Sequence, residues 1–341
     1  MSVFAKLYPT LKPLLFRLDP ELAHTFSVRM LILAHRCGFI RETIPAATAN
    51  RVCLGLRFPN VLGLAAGMDK SASAVDAWGA LGFGFIEVGT LTPRPQPGNP
   101  KPRLFRLPEH RALINRMGFN NVGIQAAVKR LEKRRTKAIV GVNIGKNFDT
   151  PLESAASDYV ACLKAAYHTA DYVAVNISSP NTKGLRDLQA EDSIHQLISA
   201  LQKEQASLAK QHGRRVPVVI KIAPDLEELH IQSLARVFNE LGVDGIIATN
   251  TTVSRSAVTG HPLSNETGGL SGAPVTQRST EVIKAFREQL APNIPIIGVG
   301  GIMQGSDAMA KLQAGANLVQ IYSGLVYAGP ALIPDVLAHT M

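Results

Sequence analysis

The sequence predicts an α/β fold, a (β/α)8 TIM barrel preceded by an N-terminal helical extension. Three observations carry that reading. From about Asn60 onward, eight short apolar runs alternate with longer amphipathic segments. The runs are continuously apolar instead of alternating, as in parallel strands covered on both faces. Neither glycine stretch completes the fingerprint of an open dinucleotide-binding sheet: Gly82-Phe-Gly84 continues to Glu87 where a glycine is needed, and Gly298-Val-Gly300-Gly301 lacks the third position.

The runs cover residues 61–65, 85–89, 139–144, 172–177, 218–222, 245–248, 295–299 and 318–321. Amphipathic segments between them include 72–81, 158–168, 192–211, 226–241 and 280–290, with Asp225 and Ser279 placed to cap the last two. Two long connections, 90–120 (rich in proline) and 250–278 (rich in Thr, Ser and Gly), leave the C-terminal ends of strands, where barrel enzymes hold their chemistry. Residues 1–45 stand apart from the barrel, which takes 46–341. Phe4, Leu7, Leu11, Leu14, Leu15 and Leu18 form one apolar stripe flanked by Lys6, Lys12 and Arg17. Pro9 and Pro13 are expected to bend or break that helix. Asp19-Pro20-Glu21 then reads as an N-cap, a proline in the first turn and an acidic start to a second helix ending near His35. The pair is either a cap on the barrel or an amphipathic surface that dips into lipid and admits an apolar substrate.

The chain has 341 residues, 46% hydrophobic and 18% charged, which suits one large core and excludes disorder. No apolar run reaches the roughly 18 residues that span a bilayer, and no signal-peptide pattern opens the chain, so a non-integral protein is expected. Cys37, Cys53 and Cys162 are widely spaced, without a CxxC pair, which fits a reducing compartment and no disulfide framework. The formal charge of +10 favours anionic partners: a phosphorylated ligand or an acidic lipid surface. Nucleic acid is disfavoured, because the basic residues are scattered apart from Lys133-Arg134-Arg135 late in a predicted helix, with no interleaved aromatics. No HExxH, carboxylate cluster or His-rich tract points to a metal.

Nearly every predicted strand delivers a polar group to one rim. The ends are Ala65-Ala66-Gly67-Met68-Asp69-Lys70, Gly89-Thr90, Asn143, Asn176, Lys221, Thr249-Asn250-Thr251, Gly300-Gly301 and Tyr322-Ser323-Gly324. A purely structural barrel has no need of this. Glycines after the seventh strand and Ser323-Gly324 before a short helix match a barrel phosphate site, for a flavin mononucleotide or a sugar phosphate alike. Lys221 suits either a cation beside a flavin ring or a Schiff-base nucleophile. Asn115, Asn176, Asn181 and Asn250 offer paired donors and acceptors, which match a cyclic imide such as a pyrimidine better than a sugar.

The segments LAAGMDK (64–70), GTLTPRPQPG (89–98), INRMGFNN (114–121), NISSPN (176–181), KIAP (221–224) and GGLSG (268–272), with LDPELAH (18–24) in the extension, resemble the class 2 dihydroorotate dehydrogenases. The resemblance spans essentially the whole chain. Class 1 relatives lack the extension and carry cysteine where Ser179 stands. The resemblance implies FMN held by Ala66, Gly67, Met68, Asp69, Lys70, Thr90, Asn143, Asn176, Lys221, Thr249, Gly272, Gly301, Tyr322 and Ser323. It implies dihydroorotate held by Lys70, Asn115, Arg116, Met117, Gly118, Phe119, Asn176, Asn181, Asn250 and Thr251. Ser179 is then the base that takes the C5 proton as hydride passes from C6 to flavin N5, with Ser178 merely turning the chain into Pro180. A membrane quinone would reoxidise the flavin by way of the N-terminal helices. A monomer bound peripherally to anionic lipid on the cytoplasmic face of the bacterial inner membrane is implied, without an iron–sulfur partner.

Overall fold

The apolar runs close into a barrel because each is covered on both faces. The computed structural model describes residues 3–40, 51–182 and 184–340. Its barrel strands are β1 (Leu62–Leu64), β2 (Phe85–Leu91), β3 (Ile139–Ile144), β4 (Tyr172–Asn176), β5 (Val218–Ile222), β6 (Gly245–Ala248), β7 (Ile296–Val299) and β8 (Leu318–Ile321). All pairings are parallel, each strand lies beside its neighbour in sequence, and β8 returns to β1 with Val319 opposite Leu62. Every residue of these strands is buried except Ile139, which is why no period-two pattern marks them.

The barrel interior is layered. An antiparallel hairpin, Arg51–Cys53 with Leu56–Phe58, reaches the N-terminal end and brings Phe58 edge-on to Phe85 at 5.2 Å between ring centroids. Phe85 meets Tyr172 edge-on at 6.4 Å. Glycines on adjacent strands make room for these rings: a Cβ on Gly63 would stand 2.3 Å from the Phe85 ring, and one on Gly141 2.1 Å from that of Tyr172. These rings plug the N-terminal end of the barrel.

The helices follow prediction in place and differ at their starts. The observed spans are Val75–Gly79, Ala155–Ala166, Glu191–His212, Glu228–Leu241 and Thr276–Gln289. Asp225 does not cap the fourth. Its carboxylate accepts from the Val253 N–H (3.0 Å), the Thr252 hydroxyl and Arg186 (2.8 Å), so it ties the 250–278 connection down. Ser279 lies inside the fifth helix, its hydroxyl donating to the Gly300 carbonyl at 2.9 Å. The Lys133–Arg135 triplet follows a helix that ends at Leu131, and Arg134 pairs with Asp171 at 3.0 Å.

The two long connections are not irregular throughout. Leu104–Leu107, Ala112–Asn115 and Gly269–Gly272 form a three-stranded antiparallel sheet in which Asn115 stands opposite both Leu104 and Gly269. Leu107, Ala112, Ile114, Val258 and Leu270 give it a small core of its own. The connections therefore brace each other above the barrel.

At the N-terminus, α1 (Val3–Arg17) runs unbroken through Pro9 and Pro13, against expectation. Both prolines are solvent-exposed, so water can reach the carbonyls their rings leave without an N–H partner. The α1 helix is docked by the Tyr8 hydroxyl donating to the Val326 carbonyl, Lys12 Nζ donating to that of Tyr327 (2.9 Å), and Phe16 edge-on to Tyr327 at 5.6 Å. Arg106 lies over the Phe16 ring and donates to the Phe16 and Leu18 carbonyls. The second helix, α2 (Pro20–Arg36), begins as predicted, with Asp19 Oδ1 accepting the N–H groups of Glu21 and Leu22. Glu21 is forked by Arg103 at 2.7 and 3.1 Å, and Ala34 packs on Ala80. Leu7, Leu11, Leu14 and Leu18 of the stripe are 40–59% exposed, and Leu22, Phe26, Met30 and Leu33 on α2 are 42–57% exposed. The side chains of Phe4 and Lys6, and the expected domain boundary at 45/46, lie outside the described residues.

Candidate active site

The polar strand ends converge on one cleft at the C-terminal mouth of the barrel, enclosing about 1030 Å³ with its opening included. Among the predicted cofactor residues, Ala66, Gly67, Lys70, Thr90, Asn176, Lys221, Thr249, Gly272, Gly301, Tyr322 and Ser323 line it. So do Ser179 and the predicted substrate residues Asn115, Met117, Gly118, Phe119, Asn181, Asn250 and Thr251.

Four predicted residues do not line it. The Asp69 carboxylate turns back to accept the Ser73 and Ala74 N–H groups, both at 2.8 Å, and so shapes the turn that presents Lys70. Met68 beside it is buried in the main core. Arg116 reaches to Glu266 at 2.5 Å and stacks over Phe105, clamping the two long connections together. Asn143 lies one layer below the cleft.

That lower layer is organised by Glu87, a fully buried carboxylate on β2. Its Oε1 accepts from Asn143 Nδ2 (2.8 Å) and Lys221 Nζ (3.3 Å); its Oε2 accepts from Gln320 Nε2 (2.8 Å) and the Tyr172 hydroxyl (3.0 Å). A carboxylate only accepts, which fixes the direction of every bond leading away from it. The Asn143 amide donates to Glu87 through its NH2 and accepts the Thr90 hydroxyl on its Oδ1 (2.6 Å). Thr90 Oγ1 then accepts Asn176 Nδ2 (2.9 Å), and Asn176 Oδ1 accepts Asn250 Nδ2 (3.3 Å). The Ser178 hydroxyl belongs to this chain as well, donating to Asn176 Oδ1 and accepting from Asn250 at 3.0 Å. It does more than turn the backbone. Glu87, Ser271 and Gln320 escaped a reading confined to strand ends; a lone acid in FIEVG and a lone amide in VQI were the available signals.

On one wall Gly300 and Gly301 form a turn, the latter at φ 72°, where a Cβ would stand 2.4 Å from the Thr276 nitrogen. Ser323 Oγ donates to Ser271 Oγ at 2.9 Å, and burial pushes the Tyr322 phenol up to about 12. Opposite, Lys70 Nζ donates to the Gly67 carbonyl at 2.9 Å. Burial brings its ammonium down to about 8, partly offset by Glu21 of α2. His24, also on α2, is held down to about 4 by burial and by Lys70. The N-terminal helices therefore reach the edge of the cleft. At the mouth, Ser179 Oγ accepts the Asn181 N–H (3.2 Å), and Asn181 Nδ2 donates to Asn115 Oδ1 (3.1 Å). The buried Asn181 Oδ1 and Gln320 Oε1 have no donor among the described residues.

The model of the family described as "Dihydroorotate dehydrogenase" matches residues 48–340. The chain belongs to that family. It is 57% identical over 330 residues to a protein of Chromobacterium violaceum named dihydroorotate dehydrogenase (quinone), covering 96% of each. A protein of the same name from Stenotrophomonas maltophilia is 55% identical over 335 residues, covering 96% of this chain and 94% of the relative. A crystal structure of the Eimeria tenella dihydroorotate dehydrogenase in complex with ferulenol superposes with a TM-score of 0.86 at 38% identity, over 94% of this chain and 90% of that one. Within the family, this chain falls in the quinone-dependent, class 2 group.

The buried pair in the lower layer of this dehydrogenase gives a stability prediction. Glu87→Gln leaves Lys221 buried without its anion, and breaking such a pair from one side costs about 3–5 kcal/mol. The double variant Glu87→Gln with Lys221→Met recovers part of that loss. Urea unfolding measures both, and a Glu87→Gln cost no larger than that of a surface substitution contradicts the assignment.

Proposed function

We propose that the chain oxidises (S)-dihydroorotate to orotate, a step of pyrimidine biosynthesis, using FMN as its bound flavin and a membrane quinone as final acceptor. The observation that carries this reading is that Ser179 and the asparagine amides share one cleft with Lys221 and the Gly300–Gly301 turn. The cleft fits FMN on its own chemistry. Lys221 is a buried cation for the ring, and Gln320 Oε1 is an acceptor with no donor among the described residues. The glycine turn admits phosphate oxygens close to backbone N–H groups. Ala66, Gly67, Thr90, Asn176, Lys221, Thr249, Gly272, Gly301, Tyr322 and Ser323 would hold the cofactor, with Met68, Asp69 and Asn143 acting from behind them. When bound, the flavin supplies the hydride acceptor for C6.

The chain's own residues do the rest. Lys70 receives the substrate carboxylate, and an ammonium that titrates near 8 is still mostly charged at neutral pH. Asn115, Asn176, Asn181 and Asn250 orient the ring through its N–H and C=O edges, with Met117, Gly118, Phe119 and Thr251 closing over it and Arg116 bracing that wall. Ser179 takes the C5 proton, which the adjacent carbonyl acidifies. A Schiff-base role for Lys221 is disfavoured, because its amine is already engaged by Glu87.

The exposed leucines of α1 and α2 give residues 1–45 a lipid-facing surface beside the cleft, with 46–341 as the catalytic barrel. Together with the net charge of +10 they support peripheral binding of a monomer to anionic lipid on the cytoplasmic face of the inner membrane, where a quinone would enter past α2.

Ser179→Ala should keep its flavin yet lose most anaerobic flavin reduction by dihydroorotate, by about 10²–10⁴-fold, the usual share of a general base. Stopped-flow absorbance reads the rate, and a near-normal rate moves the base elsewhere. Leu14→Glu combined with Phe26→Glu should abolish sedimentation with anionic vesicles while leaving that half-reaction unchanged. Undiminished vesicle binding makes the helical pair a cap alone.

A further inference from the structure

One buried charge in the helical layer takes no part in the chemistry of the cleft. Lys311 lies on the helix Gly305–Gln313, between β7 and β8, and its side chain is fully buried. Its three N–H donors are all used, on the Thr276 carbonyl (3.3 Å), the Ser279 hydroxyl and the Thr280 hydroxyl (3.0 Å). All three acceptors are neutral; the Asp307 carboxylate, one turn earlier on the same helix, favours the charged form from outside ion-pair distance and is itself taken up by the Met303 and Gln304 N–H groups. The three acceptors also lie at the N-terminal end of the helix Thr276–Gln289, whose dipole presents positive charge there. A buried cation facing neutral oxygens and a helix N-terminus is costly unless an anion lies nearby.

The hydrogen bonds point to where a second anion would be. Ser279 Oγ, which accepts from Lys311, donates to the Gly300 carbonyl at 2.9 Å. Thr276 Oγ1 donates to the Gly301 carbonyl at 2.7 Å. Lys311 is therefore linked through one residue on each path to both glycines of the turn that lines the cleft. Binding both carbonyls from behind fixes the peptide planes of that turn, and so the direction of its N–H groups. Burial, offset only in part by Asp307, brings the Lys311 ammonium down to about 7, and a neighbouring dianion would favour its charged form further.

We propose that Lys311 is a positioning residue for the phosphate of the flavin mononucleotide, a buried cation behind the Gly300–Gly301 turn that both sets the turn and balances the phosphate charge without touching it. The inference rests on the FMN reading above. It assigns the chain's discrimination between FMN and uncharged riboflavin in part to a residue outside the cleft lining.

The test measures equilibrium binding of FMN and of riboflavin, by flavin fluorescence, to full-length protein stripped of flavin and reconstituted, wild type against Lys311→Met. Wild type should prefer FMN, and Lys311→Met should narrow that preference by about tenfold or more, equal to about 1.4 kcal/mol. Its riboflavin affinity should be unchanged, which also certifies the fold. A lysine that merely fills space would weaken both flavins together or neither, and an unchanged FMN-to-riboflavin ratio overturns the proposal. If Lys311→Met does not fold, Ser279→Ala, which cuts the path to the Gly300 carbonyl, is read by the same ratio with the same two outcomes. Wild-type protein that binds neither flavin would instead refute the FMN reading itself.

Discussion

The carboxylate of Glu87 is the fixed point of this molecule. It is fully buried on β2, above a plug of aromatic rings, and it accepts from a lysine, a tyrosine and two amides on four other strands. An acceptor-only group with four donors leaves no freedom to its neighbours. Lys221 is held in the floor of the cleft, and the amides of Asn143 and Asn176 cannot flip without leaving a donor facing a donor. The polar rim is thus oriented from below, by one charge placed where no solvent reaches. Such a network is stable only when complete, which ties the integrity of the barrel to that of the site.

The upper half of the site is built differently. There the chain relies on two long connections that pair as a small antiparallel sheet, with Arg116 and Asp225 as clamps. Ser179, Asn181 and Asn115 belong to this covering layer and are joined to one another more than to the barrel. The N-terminal helices complete the arrangement from the side, through Glu21 on Arg103 and the electrostatic contact of His24 with Lys70. A rigid floor and a braced but separate roof suit a site that must hold one group firmly and exchange another.

Much of this was legible in the residues. Eight continuous apolar runs could only be strands covered on both faces, and the polar residue after each had to share a rim. Asp19-Pro20-Glu21 gave the start of α2 to the residue, because a cap is a local interaction. What escaped was decided by distant partners. Asp225 and Ser279 are good caps in isolation, but the Val253 N–H and the Gly300 carbonyl claimed them. In the proline-rich 90–120 segment, Ala112–Asn115 pairs with nearby Leu104–Leu107, but its second partner lies some 150 residues away, as Gly269 does from Asn115, so the sheet leaves little local signal. Pro9 and Pro13 sit on the exposed face of α1, where solvent replaces the hydrogen bonds that an interior helix would have lost. Glu87 lay in plain view as a charge within an apolar strand, though only three-dimensional contact could supply its donors.

The central claim is that the cleft above Glu87 and Lys221 is a flavin mononucleotide site. The most direct measurement is the visible absorption spectrum of the purified full-length chain, followed by chromatography of whatever acid denaturation releases. The account predicts yellow protein yielding FMN alone, in a one-to-one ratio with the polypeptide. Colourless protein that FMN does not reconstitute, or release of FAD, would contradict it.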